Sequence, residues 1–292
     1  MANDKTIENW LKDNEITEVE CLVPDMTGNA RGKFIPAKKF LKEDSRLPEG
    51  ILAQSVTGEY SDDFWDLLDT IDGDMLLEPD PSTARLVPWA NELTGQIIHD
   101  CFTKDGQPHP FSSRNILKRV LALYEKEGLT PVIAPEMEFY LVEQNPNPAL
   151  PLKPPIGRSG RPETARQSYS IDAANEFEPF VELMYNYCEA MELDIDTLIH
   201  ESGAAQLEVN FIHGDPLDLA DQVFTFKRTV REAALKNGIY ATFMAKPMAT
   251  EPGSATHIHQ SLLDSSTGDN VFANKEGEYS ETFYHYMGGL QK

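Results

Sequence analysis

Short extended runs dominate the first third of the chain, and helical spacing takes over further along. Val19-Glu20-Cys21-Leu22-Val23 and Gly95-Gln96-Ile97-Ile98-His99-Asp100 read as strands, with turn signals at Pro24-Asp25 and Thr27-Gly28-Asn29. Ahead of them, Ile7, Trp10 and Leu11 fall at helical spacing and predict a short amphipathic helix over residues 2–14. From Ser112 the character changes. Ser113 can cap a helix through Ile116, Leu117, Val120, Leu121 and Tyr124 that ends near Gly128. A strand follows over 130–142, and the Pro, Gly and Arg residues of 144–168 predict a long mobile loop. Beyond it the pattern gives a helix around 176–191, a strand over 205–211, a helix around 217–237 and two further strands. No internal repeat interrupts this order. The chain therefore reads as α+β: a small, mostly β domain over 15–105, then a larger α+β domain over 106–292.

Side chains of a strand alternate faces, so Glu136 and Glu138 share one face while Met137 and Phe139 take the other. Two like charges side by side repel unless a cation lies between them. A solvent-facing strand would also accommodate the pair, but the pattern recurs. Gln206, Glu208 and Asn210 oppose Leu207, Val209 and Phe211, and His257, His259 and Ser261 share a third face. No Lys or Arg falls on these three stripes. Carboxylates, amides and hydroxyls with an occasional imidazole suit Mg²⁺ or Mn²⁺, and the lack of clustered Cys disfavours structural zinc. His99, His109 and His285 stand alone and read as structural. Lys246-Pro247 and Glu251-Pro252-Gly253-Ser254-Ala255 precede the third stripe, where small residues let backbone approach a ligand closely.

Composition narrows the function further. A formal net charge of −23 excludes nucleic acid as a partner, because phosphate binding needs Lys and Arg. Most of the carboxylates fit a solvated surface. No apolar run is long enough to span a membrane, and the polar start lacks a secretory pattern. Cys21, Cys101 and Cys188 are odd in number and far apart, which fits a reducing, cytoplasmic setting.

Taken together these residues resemble the glutamine synthetase family. Lys246-Pro247-Met248, then Pro252-Gly253-Ser254-Ala255, His257 and Ser261, follow that family's nucleotide-site signature. Pro135-Glu136-Met137-Glu138-Phe139 and the Glu201 to Glu208 segment are similar too. Asp74-Met75-Leu76-Leu77-Glu78-Pro79-Asp80-Pro81 resembles the end of the family's N-terminal β-grasp domain. The likeness covers nearly the whole chain and implies a β-grasp domain followed by a catalytic domain with an antiparallel sheet flanked by helices.

The resemblance implies that Glu138, Glu201 and Glu208 hold one Mg²⁺ or Mn²⁺ and that Glu136 and His257 hold a second, next to the nucleotide phosphates. It places Asp196, Phe211, His213, His259 and Ser261 around ATP, and Gly253 at a glutamate-binding backbone position. The implied reaction phosphorylates the γ-carboxylate of glutamate, after which an amine displaces phosphate, in a homo-oligomer that forms rings in the family. Two departures matter. Ammonia-using members carry an Asp-Gly-Ser-Ser turn where this chain reads Ala53-Gln54-Ser55-Val56-Thr57-Gly58-Glu59. With Arg31-Gly32-Lys33 this points to the γ-glutamylpolyamine branch, so the amine is a polyamine or ammonia. Pro252 stands where a glutamate-contacting Asn is common. The family also continues past Lys292 with a further Glu and several Arg residues, so the expectation is an incomplete catalytic domain with cation affinity and little turnover. The alternatives are a truncated, non-catalytic homologue that binds metal or nucleotide, and an acidic protein of unrelated role.

Overall fold

The computed structural model describes residues 7–42, 44–60, 66 and 72–291. The chain forms two compact units that interleave in sequence. Met1–Leu117, Pro179–Leu193 and Phe224–Asn237 make one, and Lys118–Glu178, Asp194–Val223 and Gly238–Lys292 make the other. No helix among the described residues is long and apolar enough to cross a membrane.

In the first unit, α1 spans Ile7–Asp13; the rest of the helix expected from residue 2 lies outside the described residues. Strands β1 (Glu18–Pro24), β2 (Ala30–Pro36), β3 (Ser45–Pro48), β4 (Asp74–Pro79), β5 (Arg85–Leu86) and β6 (Thr94–Phe102) form a sheet ordered β2-β1-β6-β4-β3, with β5 also on β6. β1 and β6 run parallel and the other pairs antiparallel. A short helix, α2 (Ala37–Phe40), follows β2. The β1–β2 turn is built by Asp25, whose Oδ1 accepts from the Thr27 and Asn29 amides at 2.9 Å while Gly28 takes φ 72°. One face of β1 buries Val19 and Cys21 with Leu11, Ile35 and Ile97, and Val23 with Leu52, Met75 and Leu77. On the other face Leu22 and Ile98 pack against Phe224. Glu20 on that face pairs with Arg228 at 2.6 Å, and Arg228 also donates to Gln96.

Helix α3 runs Ser113–Lys126 and stops where Gly128 takes φ 70°. Its N-terminal hydroxyl acceptor is Ser112, which receives the Asn115 amide at 3.4 Å, one residue earlier than the Ser113 cap expected from sequence. The stripe of Ile116, Val120 and Leu123 is exposed, while Arg114 is buried against Asp80 and Asp100.

The second unit is organised by β7 (Leu129–Glu143), the longest strand. With β8 (Ile195–His200), β9 (Gln206–Phe211), β10 (Ile239–Thr242) and β11 (Thr256–Asp264) it forms an antiparallel sheet, β10-β7-β9-β8, with β11 also on β7. Glu136 pairs with both Asn210 and His257, and Tyr140 with both Gln206 and Thr242. It follows that β10 and β11 lie end to end along one edge of β7, opposite β9. Leu207, Val209 and Phe211 are buried on the apolar face with Met137 and Phe139.

Between β7 and β8 the chain is irregular, then forms α4 (Ile171–Asn175) and α5 (Glu178–Ala190), two helices where the sequence suggested one. The expected loop is tied down rather than free: the Glu143 amide donates to Lys153 O at 2.9 Å, and Glu163 Oε2 accepts from the His200 ring at 2.9 Å. Helix α6 spans Pro216–Lys236, and helix α7, Glu281–Leu290, is capped by Ser280.

Candidate functional site

Register brings the three polar stripes onto one face of the second sheet. On β7, Glu136 is flanked by Asn210 of β9 and His257 of β11, and Glu138 stands opposite Glu208. Glu201 lies just past β8, at the mouth of the turn that leads into β9. Two overlapping groups result: Glu136, Glu208 and His257, and Glu138, Glu201 and Glu208, each offering ligand atoms within 4.8 Å of one another. All five residues singled out from sequence as cation ligands are therefore neighbours. His257 Nδ1 stands 3.6 Å from Glu136 and 3.9 Å from Glu138, and His259 Nε2 is 3.0 Å from Glu136.

Around them, uncharged donors hold the carboxylates in place. Glu138 Oε2 accepts from Gln206 Nε2 at 3.0 Å and from the Ala255 amide at 2.9 Å. Gln206 also donates to Gly253 O at 3.0 Å, and its Oε1 accepts the Gly203 amide at 2.9 Å. Glu201 Oε2 accepts the Ser202 amide at 2.8 Å. Asn210 Nδ2 reaches Glu136 at 3.3 Å, leaving its own Oδ1 buried and without a partner. Tyr140, on the same face, donates to Pro252 O at 2.7 Å and anchors the loop before β11.

Among the described residues no Lys or Arg pairs with any of the four carboxylates. Burial, reinforced by the charges of Glu136, Glu201 and Glu138, pushes Glu208 up to about 7, with His257 opposing. Burial also raises Glu138, against the Ala255 hydrogen bond and with the Glu201 and Glu136 charges. Such a set is costly when empty of positive charge and favourable around a hard divalent ion, and its oxygen-rich chemistry fits Mg²⁺ or Mn²⁺.

A cavity of about 330 Å³ adjoins the cluster, lined by His213, His259 and Ser261 with Val132, Ile133 and Leu263. Three of the five residues expected around ATP thus share one pocket. The other two are not in its lining: Asp196 is exposed on β8, and the Phe211 side chain is buried on the apolar face. Gly253 needs its missing side chain, since a Cβ there would sit 2.9 Å from Ala245 O. The sequence reading passed over Tyr140, Glu163 and His200. Gln206 and Asn210, by their place in the stripe, did carry a signal.

Residues 110–292 match the family described as glutamine synthetase, catalytic domain. Glutamine synthetase of Pyrococcus horikoshii is 32% identical over 291 residues, covering 97% of this chain and 60% of that protein. Gamma-glutamylputrescine synthetase PuuA of Escherichia coli is also 32% identical, over 93% of this chain and 58% of its own length. The solved structure of apo GmaS superposes with a TM-score of 0.80 at 25% identity, over 98% of this chain and 63% of that one. The chain thus spans about 60% of the length of the curated relatives it matches. By its fold and by the match over its second part, this chain belongs to the glutamine synthetase family.

Proposed function

We propose that the chain carries the cation-binding face of an ATP-dependent ligase that joins the γ-carboxylate of glutamate to an amine through a γ-glutamyl phosphate. One observation carries this reading: four carboxylates and an imidazole converge on one sheet face, with Glu208 pushed up to about 7 and no Lys or Arg among their described partners. In this proposal Glu138, Glu201 and Glu208 hold one divalent cation, and Glu136 and His257 hold a second. The cations supply charge neutralisation while the phosphoryl group moves. Gln206 fixes the Glu138 carboxylate and the Gly253 carbonyl together, so the glutamate-facing loop and the cation-facing strand keep one geometry. His213, His259 and Ser261 line the pocket assigned to ATP.

The acceptor is a polyamine or diamine in preference to ammonium. The stretch Ala53–Glu59 lacks the Asp of the ammonia-using members, and its Ser55 and Glu59 close a turn on each other. The name of the putrescine-using relative points the same way. A β-grasp domain at 15–105, a catalytic domain at 106–292, cytoplasmic residence and a homo-oligomeric assembly belong to the same proposal.

The test is a Mn²⁺ titration, followed by phosphate release with ATP, Mg²⁺, glutamate and a panel of amines. Saturable Mn²⁺ binding and a higher kcat/KM with diamines than with ammonium are expected. Absence of Mn²⁺ binding removes the cation assignment, and a preference for ammonium returns the protein to the glutamine-forming branch. Cation binding without phosphate release under any amine leaves the non-catalytic homologue as the better reading.

A further inference from the structure

Two segments of the second unit, the irregular stretch after β7 and Pro247–Glu251 ahead of β11, enclose a cavity of about 570 Å³. That volume falls among small-molecule sites, which run roughly 300–1,000 Å³. Leu152, Pro154 and Met248 contribute apolar wall, and the ionisable side chains among its described lining are Glu163 and Glu251.

The Glu163 side chain is only 7% exposed. Its Oε2 is well used, accepting from His200 Nε2 at 2.9 Å and from the Ala205 amide at 2.7 Å. Its Oε1 is buried and accepts nothing. A buried carboxylate oxygen without a donor is unfavourable, so the site favours a ligand that brings N–H groups. Glu251 stands in the same lining, with Oε2 accepting the Ala204 amide at 3.2 Å. Two basic groups nearby are already engaged, His200 by Glu163 and the Lys246 ammonium by Glu251 O at 2.6 Å, while Lys153, between Leu152 and Pro154, is exposed. Glu163 also borders a smaller cavity of about 300 Å³, but Arg161 lines that one and opposes a cation.

We propose that the larger cavity binds an alkylammonium ion, its head between Glu163 and Glu251 and its methylenes against Leu152, Pro154 and Met248. A bare divalent ion is a poor occupant, since it wants six or more oxygens and the walls are apolar. An anion is repelled by both carboxylates. The assignment stands on the cavity alone. If the ligase reading also holds, the occupant is its amine, kept behind the loop that carries Gly253.

The test uses calorimetric titration of the protein in EDTA at neutral pH and physiological salt, with n-butylamine and 1,4-diaminobutane as probes and 1-butanol as neutral isostere. The absence of cations and nucleotide separates this outcome from that of the ligase assay. Saturable one-to-one binding of an amine, and none of butanol, is expected. Glu251→Gln should weaken it by about tenfold or more, as befits loss of a charge-assisted hydrogen bond. Thr250→Lys, an exposed change at the rim, should abolish it. Glu276→Gln, an exposed carboxylate elsewhere with the same change in net charge, should leave it intact. Non-saturating heats, equal losses in Glu251→Gln and Glu276→Gln, unimpaired binding in Thr250→Lys, or binding of butanol would each overturn the proposal.

Discussion

Replacing Glu208 by Gln should stabilise the protein in EDTA at pH 8 and at the same time blunt its response to Mn²⁺. The ordinary value of this carboxyl, 4.5, rises to about 7 in the folded protein, chiefly through burial and then through Glu136, Glu201 and Glu138. Between these values the folded state holds a proton that the unfolded chain has lost, so stability falls as pH rises through the window. Above it the full penalty applies. At about 1.4 kcal/mol per pH unit, that penalty is about 3 kcal/mol. Gln keeps the shape and removes the charge, so the variant should gain roughly 1–3 kcal/mol at pH 8, the lower end allowing for an imperfectly bonded amide. Near pH 4 the carboxyl is largely protonated in the folded and the unfolded chain alike, and the difference should vanish. The assay is urea unfolding at both pH values, with and without Mn²⁺. Wild type should gain about 2.7 kcal/mol at a Mn²⁺ concentration a hundred times its Kd, and the variant much less. A variant less stable than wild type in EDTA at pH 8, or one with an undiminished Mn²⁺ gain, would refute the reasoning.

Two further outcomes follow from the packing. Gly203→Ala should destabilise by about 2–4 kcal/mol or break the Tyr140–Pro252 bond, because its Cβ would fall 2.0 Å from the Tyr140 hydroxyl; urea unfolding and Tyr140→Phe in the same background distinguish the two. His99 is lowered from 6.5 to about 4, mainly by burial, so its contribution is full above pH 6.5 and is lost as pH falls toward 4. His99→Gln should therefore remove up to about 3 kcal/mol of the acid sensitivity that wild type shows over that range. An unchanged slope of stability against pH would show that His99 does not carry it.

Period-two alternation made the carboxylate and imidazole cluster legible in the sequence, because register in a buried sheet leaves little freedom. Once Glu138 faces Glu208, antiparallel pairing sets Asn210 beside Glu136, and the separate register of β11 adds His257 on the other side. Most elements of the second unit were equally readable, but β2 to β5, α2 and α4 went without a signal, as did β8, whose Ile195-Asp196-Thr197 start carries a bulge and no alternation. What stayed hidden depends on contacts between distant segments. Nothing local marks Glu163 as the partner of His200, 37 positions away, or Tyr140 as the anchor of Pro252, 112 positions away. The capping hydroxyl was misplaced because Ser112 and Ser113 are chemically equal and only backbone geometry chooses between them.

The interleaving of the two units has a consequence for how the protein is made. The opposite face of β1 and β6 is completed by Phe224 and Arg228, the latter reaching Glu20 from 208 positions further along the chain. At roughly 5–20 residues per second, a ribosome emits that helix about 10–40 s after the strand it covers. Until then Leu22, and Ile98 once it is made, are uncovered on the nascent chain and Glu20 has no Arg228. The first unit therefore finishes folding late in synthesis, and this half-finished sheet is the surface that a chaperone would meet.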